Sequence, residues 1–334
     1  MSRNVHWCRV FDGMELEHST AAALIILTVF TGIIAAQAQN SDQPNLNFRL
    51  VQAVRQEDIH SVQQLLGEGA DIESRDQNGE TPLITAADSF DLELLKLLLE
   101  KGADVSARDN QHETALVHAA RTENPAAIEI LLGKTSDYKE KNEALIESVR
   151  GGPVVIRMAD TPTSAQTGSV TREIPEEPWV RTVRLLLDNG ADLEARDEEG
   201  ATPLLRAAAY GQTEIFELLI QRGATIRVRD KRGMTPLMAA ACECALATMN
   251  STYDIVRILL EKGANVNAQD HDGTTALMNA AAGFGGAAIV RLLLDHRANP
   301  AARNKHGETA LTLAAQGDRQ DKVQLLKKAM AKSR

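Results

Sequence analysis

The sequence predicts an all-α solenoid of about eight helix–turn–helix units, each carrying a projecting β-turn finger. Three observations predict it. The stretch "DQNGETPLITAADSFDLELLKLLLEKGA" from Asp76 returns as "DEEGATPLLRAAAYGQTEIFELLIQRGA" from Asp197, and again, interrupted, as "DKRGMTPLMAAA…YDIVRILLEKGA" from Asp230. The Thr of a T-P/A-L triplet recurs at Thr81, Thr114, Thr202, Thr235, Thr275 and Thr309, and the steps 114 − 81 and 235 − 202 are both 33. Apolar residues make up 43% of the 334, yet aromatics only 3%, so the core is built from Leu, Ile, Val and Ala. Units of this size cannot hide an apolar face alone, and stacking gives them one continuous core.

Each element follows from local chemistry. In the unit at Asp76, Gly79 stands where a tight turn needs positive φ. Thr81 caps the free amides of a helix, and Pro82 opens it at the position with no amide to lose. Leu83, Ala86 and Ala87 share one face at i, i+3 and i+4, and the small Ala pair lets a neighbouring helix come close. Leu94, Leu95, Leu97, Leu98 and Leu99 form the apolar band of a second helix, which Gly102 ends. The recurring Asp76, Asp109, Asp197, Asp230 and Asp270 start turns, where an Asp side chain bonds its own backbone.

These marks resemble the ankyrin repeat family, whose unit is about 33 residues with a T-P-L-H-x-A core. The resemblance covers about Asn45 to Met330. It implies a repeat domain over 45–334, with units near 45–75, 76–108, 109–137, 138–196, 197–229, 230–269, 270–303 and 304–334. The first unit lacks a turn and caps one end, while the last ends in "VQLLKKAMAKSR", suited to a solvated cap. No unit carries the family's His at the fourth triplet position, and His118 falls one place later. The unit near Asp109 has Thr135 in place of its closing Gly, and the unit near Tyr138 keeps only a degenerate turn before "NEALIESV".

Three insertions fall between the first and second helices of their units. The longest adds 26 residues within 151–178, rich in Pro, Gly, Ser and Thr, and reads as an irregular loop. A seven-residue excess around "CECALATMNS" is expected to lengthen a first helix, and "GFGG" holds one extra residue. Insertions on one edge of a solenoid mark a working surface, although such turns also tolerate length cheaply.

The N-terminal 1–38 reads as a signal peptide. Ala21–Ala36 is sixteen uncharged residues, short of the roughly 20 that span a bilayer, and "AQAQ" puts Ala36 and Ala38 at a small-residue cleavage site. Residues 39–44 are then a polar leader. The flank ahead is mixed in charge, with Arg3 and Arg9 against Asp12, Glu15 and Glu17, so an uncleaved anchor is the alternative. The expected location is exported, periplasmic or secreted, or else membrane-anchored.

Catalytic chemistry is not legible. No nucleophile elbow or phosphate-binding Gly loop is present. The net charge of −10 argues against nucleic acid. Cys242 and Cys244 lack a second ligand pair for zinc, though a disulfide or a metal- or redox-responsive role stays open. No cofactor is expected, and the partner is another protein, met by a monomer. The resemblance implies docking on first helices and turn tips. Candidate contacts are Arg121, Arg206, Tyr210 and Asn279 on helices, Glu198, Glu199, Lys231, Arg232, His271 and Asp272 on tips, and Trp179 beside the long insertion.

Overall fold

The computed structural model describes residues 45–150, 177–242, 249–283 and 287–332. These hold sixteen helices and no strand. Helix α1 spans 45–55. The rest are α2 Ile59–Gly67, α3 Pro82–Asp88, α4 Leu92–Glu100, α5 Ala115–Arg121, α6 Pro125–Leu132, α7 Tyr138–Arg150, α8 Pro178–Asp188, α9 Pro203–Tyr210, α10 Thr213–Gln221, α11 Pro236–Ala241, α12 Met249–Glu261, α13 Ala276–Ala282, α14 Ala288–Asp295, α15 Ala310–Gln316 and α16 Gln320–Lys332.

The helices form two rows. From α3 to α15 each odd-numbered helix packs on the next odd one, and from α4 to α16 each even-numbered helix packs on the next even one. Within every pair from α3·α4 onward the two helices also touch. One apolar cluster runs the whole length, from Leu50 to Leu326. The Ala pairs 86–87, 119–120, 207–208, 240–241 and 280–281 are all at most 1% exposed. They hold the close approach in the first-helix row, where a larger side chain would force the rows apart.

The caps form as the triplets predict. The hydroxyls of Thr81, Thr202, Thr235, Thr275 and Thr309 accept from the N–H three residues on. Thr114 is the exception: its Oγ1 is buried without a partner. At the heads of the turns Asp76, Asp109, Asp197, Asp230, Asp270 and Asn304 each accept two backbone N–H groups on Oδ1.

Two sequence expectations change. The seven-residue excess does not extend a first helix: α11 stops at Ala241, and α12 reaches 13 residues against nine in α4. The N–H of Cys242 closes α11 on the Ala239 carbonyl. Unit 3 lacks the left-handed closing Gly, as its sequence indicates: Gly133 caps α6 in a right-handed conformation, in the place that Lys101 holds after α4. The degenerate turn of unit 4 is no turn at all. α7 is 13 residues long, and its first two turns occupy the stretch where other units project a finger. The cause is composition, since "YKEKNEALIESVR" holds helix formers and neither Gly nor Pro.

No helix among the described residues is long and apolar enough to cross a membrane. The expected signal peptide, its cleavage site, the leader, the long insertion up to 176, Cys8 and Cys244 lie outside the described residues.

Candidate protein-interaction surface

The projecting turns form a ladder. Where two turns are adjacent, the second residue of one donates its N–H to the carbonyl of the third residue of the turn before. Asn110 donates to Asn78 at 3.0 Å, Lys231 to Glu199 at 2.9 Å, His271 to Arg232 at 2.9 Å and Lys305 to Asp272 at 2.8 Å. An Arg just ahead of the turn Asp bolts the ladder from below. Arg75 Nη1 reaches both Gly79 O and Arg108 O, Arg196 reaches Gly200 O and Arg229 O, and Arg229 reaches Gly233 O and Gln269 O. Sequence reasoning missed these arginines. The signal was there, as an Arg recurring one place before Asp76, Asp109, Asp197 and Asp230.

The tip candidates land together. Glu198 and Glu199, Lys231 and Arg232, and His271 and Asp272 occupy three consecutive turns joined by the ladder, and all six are exposed. The charge runs from acidic to basic to mixed along one edge. Glu199 is held below the usual carboxylate range, first by the hydrogen bond and charge of Arg206, with Arg232 adding to it.

The helix candidates are more committed to their own array. Arg206 is only 13% exposed and bonds Asp197 from Nε at 2.7 Å and Glu199 from Nη2 at 2.6 Å. Arg121 bonds Glu113 at 2.6 Å and lies 3.0 Å from His118 Nδ1. Asn279 donates to the Met238 carbonyl at 3.0 Å, tying unit 7 to unit 6. Tyr210 is half-buried at the end of α9. Trp179 sits apart from all of these, near the start of α8 in the second-helix row, and packs on the main core. Its indole therefore holds the start of α8 on the body of the array.

One polar cluster was not anticipated. His118, 2% exposed, lies in α5 with Nδ1 2.9 Å from Asp88 of the preceding unit and Nε2 3.1 Å from Asp109 and 3.6 Å from Glu113. Asp109, Glu113 and His118 stand close enough together to share a cation. Arg121 already occupies Glu113, and the imidazolium donates to Asp88 and Asp109, so the carboxylates are met from within the protein. Burial alone would lower the His118 pKa. The hydrogen bond and charge of Asp88 and the hydrogen bond of Asp109 outweigh burial and the nearby Arg121, and the pKa is raised.

A model of ankyrin repeats matches the chain in three copies, over residues 50–142, 179–270 and 244–333. Comparison with curated proteins gives no match. Such repeats serve as protein–protein interaction modules and are typically non-catalytic. The two helix rows, the finger ladder and this match over most of the sequence make the chain a member of the ankyrin-repeat family.

Proposed function

We infer that the chain is an exported, non-catalytic adaptor that holds another protein on the face formed by its first helices and turn tips. The observation that carries this reading is the run of exposed, charge-patterned tips over units 5 to 7, set in register by the ladder. A tip row of alternating charge favours one alignment of a partner over shifted ones. Arg206, bolted to Asp197 and Glu199, presents the acidic turn in a fixed pose rather than offering a free cation. Tyr210, on the same helix, is the aromatic best suited to anchor a partner there. Arg150 ends α7 and Pro178 opens α8, so residues 151–177 connect the two helices of unit 4. Export rests on the apolar run at 21–36 and the small residues Ala36 and Ala38.

Two measurements test the reading. The purified full chain, immobilised, should capture a protein from its native compartment, and reversal of the tip charges (Lys231→Glu with Arg232→Glu) should abolish the capture at unchanged melting temperature. Capture that survives both this reversal and removal of residues 151–177 refutes the surface. For export, the mature protein should begin at Gln39. A native protein that still carries residues 21–36 refutes release and indicates a membrane-tethered scaffold instead.

A further inference from the structure

The finger ladder has a hole in it. Unit 4 projects no turn, so the turn of unit 3 and the turn of unit 5 flank a vacancy one repeat wide. In every other junction of adjacent turns the third residue's carbonyl accepts and the second residue's N–H donates. At the vacancy the corresponding groups are the Gln111 carbonyl and the Glu198 N–H. Neither meets a partner among the described residues. The bolt is diverted as well: Arg108 bonds its own turn at His112 O, but its other contact is the carboxylate of Glu143 on α7 at 2.9 Å, not the carbonyl of a following turn.

Among the described residues the gap is an open cavity of about 550 Å³, walled by residues that include Gln111, Glu143, Glu147, Arg150 and Glu198. Its floor is otherwise intact. Asn142 of α7 accepts from the Asp192 N–H at 2.7 Å, the position at which Glu73 and Glu194 serve Asp104 and Thr225 elsewhere. The charged walls are mostly spoken for: Arg150 pairs with Glu147 and Asp197, and Lys139 and Arg108 with Glu143. Glu198 is the carboxylate that has no ion pair among the described residues. On its other flank the same acidic tip faces Lys231 and Arg232 of unit 6.

We propose that this vacancy takes a basic β-turn of a partner protein, which completes the ladder across unit 4. The turn donates an N–H to Gln111 O, accepts from Glu198 N–H, and sets Lys or Arg against Glu198, as the unit 6 turn "DKRG" does on the opposite flank. The proposal rests on the reading of the chain as a protein-binding module and names the chemistry of one contact.

The probe is a disulfide-cyclised peptide with Asp-Lys-Arg-Gly at its turn, dye-labelled and titrated into the full chain by fluorescence anisotropy. Saturable binding is expected, weaker by about tenfold or more for an Asp-Glu-Glu-Gly turn, since like charges would then face each other. Glu198→Lys should weaken the basic peptide by a similar factor. Glu198→Pro should also weaken it by deleting the donor, because this turn position suits Pro and the internal bonds run through the N–H groups of Glu199, Gly200 and Ala201. Both variants are used only at an unchanged melting temperature, and each stands alone should the other fail to fold. No saturation, equal binding of the two peptides, or wild-type affinity in a folded variant overturns the proposal. A chain that binds no turn peptide yet captures a native protein through the tips of units 6 and 7 loses this site and keeps the wider function.

Discussion

His118 holds in unit 3 the position that Arg206 holds in unit 5, and both reach down to the Asp that heads their own turn. The guanidinium keeps its charge at all working pH, whereas the imidazolium does not. Every group facing His118 is accounted for: Asp88 from the end of α3, Asp109 and Glu113 from the turn, and Arg121 from its own helix. Its folded pKa is raised, so its stabilisation is complete below the unfolded value of about 6.5 and is lost as pH rises through the folded value. Asp109 goes the other way. Burial would raise its pKa, but bonds from the Glu113 N–H, His118 and the Gln111 N–H lower it, so its share is present above about 3.9 and lost as pH falls. The urea midpoint should therefore fall between pH 6 and pH 9, and His118→Gln should flatten that fall. An equal decline in the variant would assign the effect to other groups. None of this was legible in the sequence, because His118 and Asp88 are 30 residues apart and belong to different units. The same holds for Lys322, 1% exposed, which donates to the carbonyls of Ala280 and Gly283 at the end of α13. By contrast the Thr caps and turn Asp residues were readable, since their partners lie two to four residues away.

At the scale of the element, the ladder explains why the finger is spelled with Gly at its close. Gly79 has φ of +79°, and a Cβ there would stand 2.5 Å from Asn110 Oδ1 and 2.9 Å from Asn110 N, the donor of the junction. Gly102, at the end of α4, has φ of +89° and meets nothing within 4 Å. Substituting Ala at Gly102 should cost only the left-handed strain, about 1–2 kcal/mol. Gly79→Ala should cost that plus the displaced Asn110 contact, and should speed amide exchange at Asn110 while leaving Lys231 unchanged. Equal destabilisation by the two substitutions would mean that the ladder adds nothing. Unit 3 shows the pattern relaxed: His112 takes the closing position at φ of +64°, next to the vacancy, where no following turn approaches. Sequence marks located the fingers because each finger is local. They could not show that α7 overruns the fourth one, since a missing turn and a poorly spelled turn look alike until those residues are seen to be helical.

Across the whole molecule, unit 4 is where the two kinds of coupling separate. Elsewhere neighbouring units from unit 2 onward are joined by helix packing and by finger bonds, but α7 makes no finger bond and is held by packing against α5, α8 and α9 and by side-chain bonds such as Arg108–Glu143 and Arg150–Asp197. The family matches also step over this region, leaving residues 143–178 between their first and second copies. In a stacked array, stability is a sum of unit terms and neighbour terms, and at unit 4 the neighbour term lacks its finger part, so cooperativity there rests on the helix packing. That term depends on Ala144, Leu145 and Val149 of α7, each 0% exposed. Leu145→Ala should cost about 2–5 kcal/mol and, unlike a core truncation inside a ladder-joined unit, should split the cooperative transition in two. Leu204→Ala in unit 5, 1% exposed in the wild type, is the comparison: it truncates the same kind of core position where the finger ladder is intact. Urea unfolding followed by hydrogen exchange separates the outcomes. Protection lost first from α1–α7 or first from α8–α16 in the Leu145 variant alone shows that packing through α7 is what joins the halves. A single shifted transition in both variants would show that the array couples across unit 4 as strongly as across its laddered junctions.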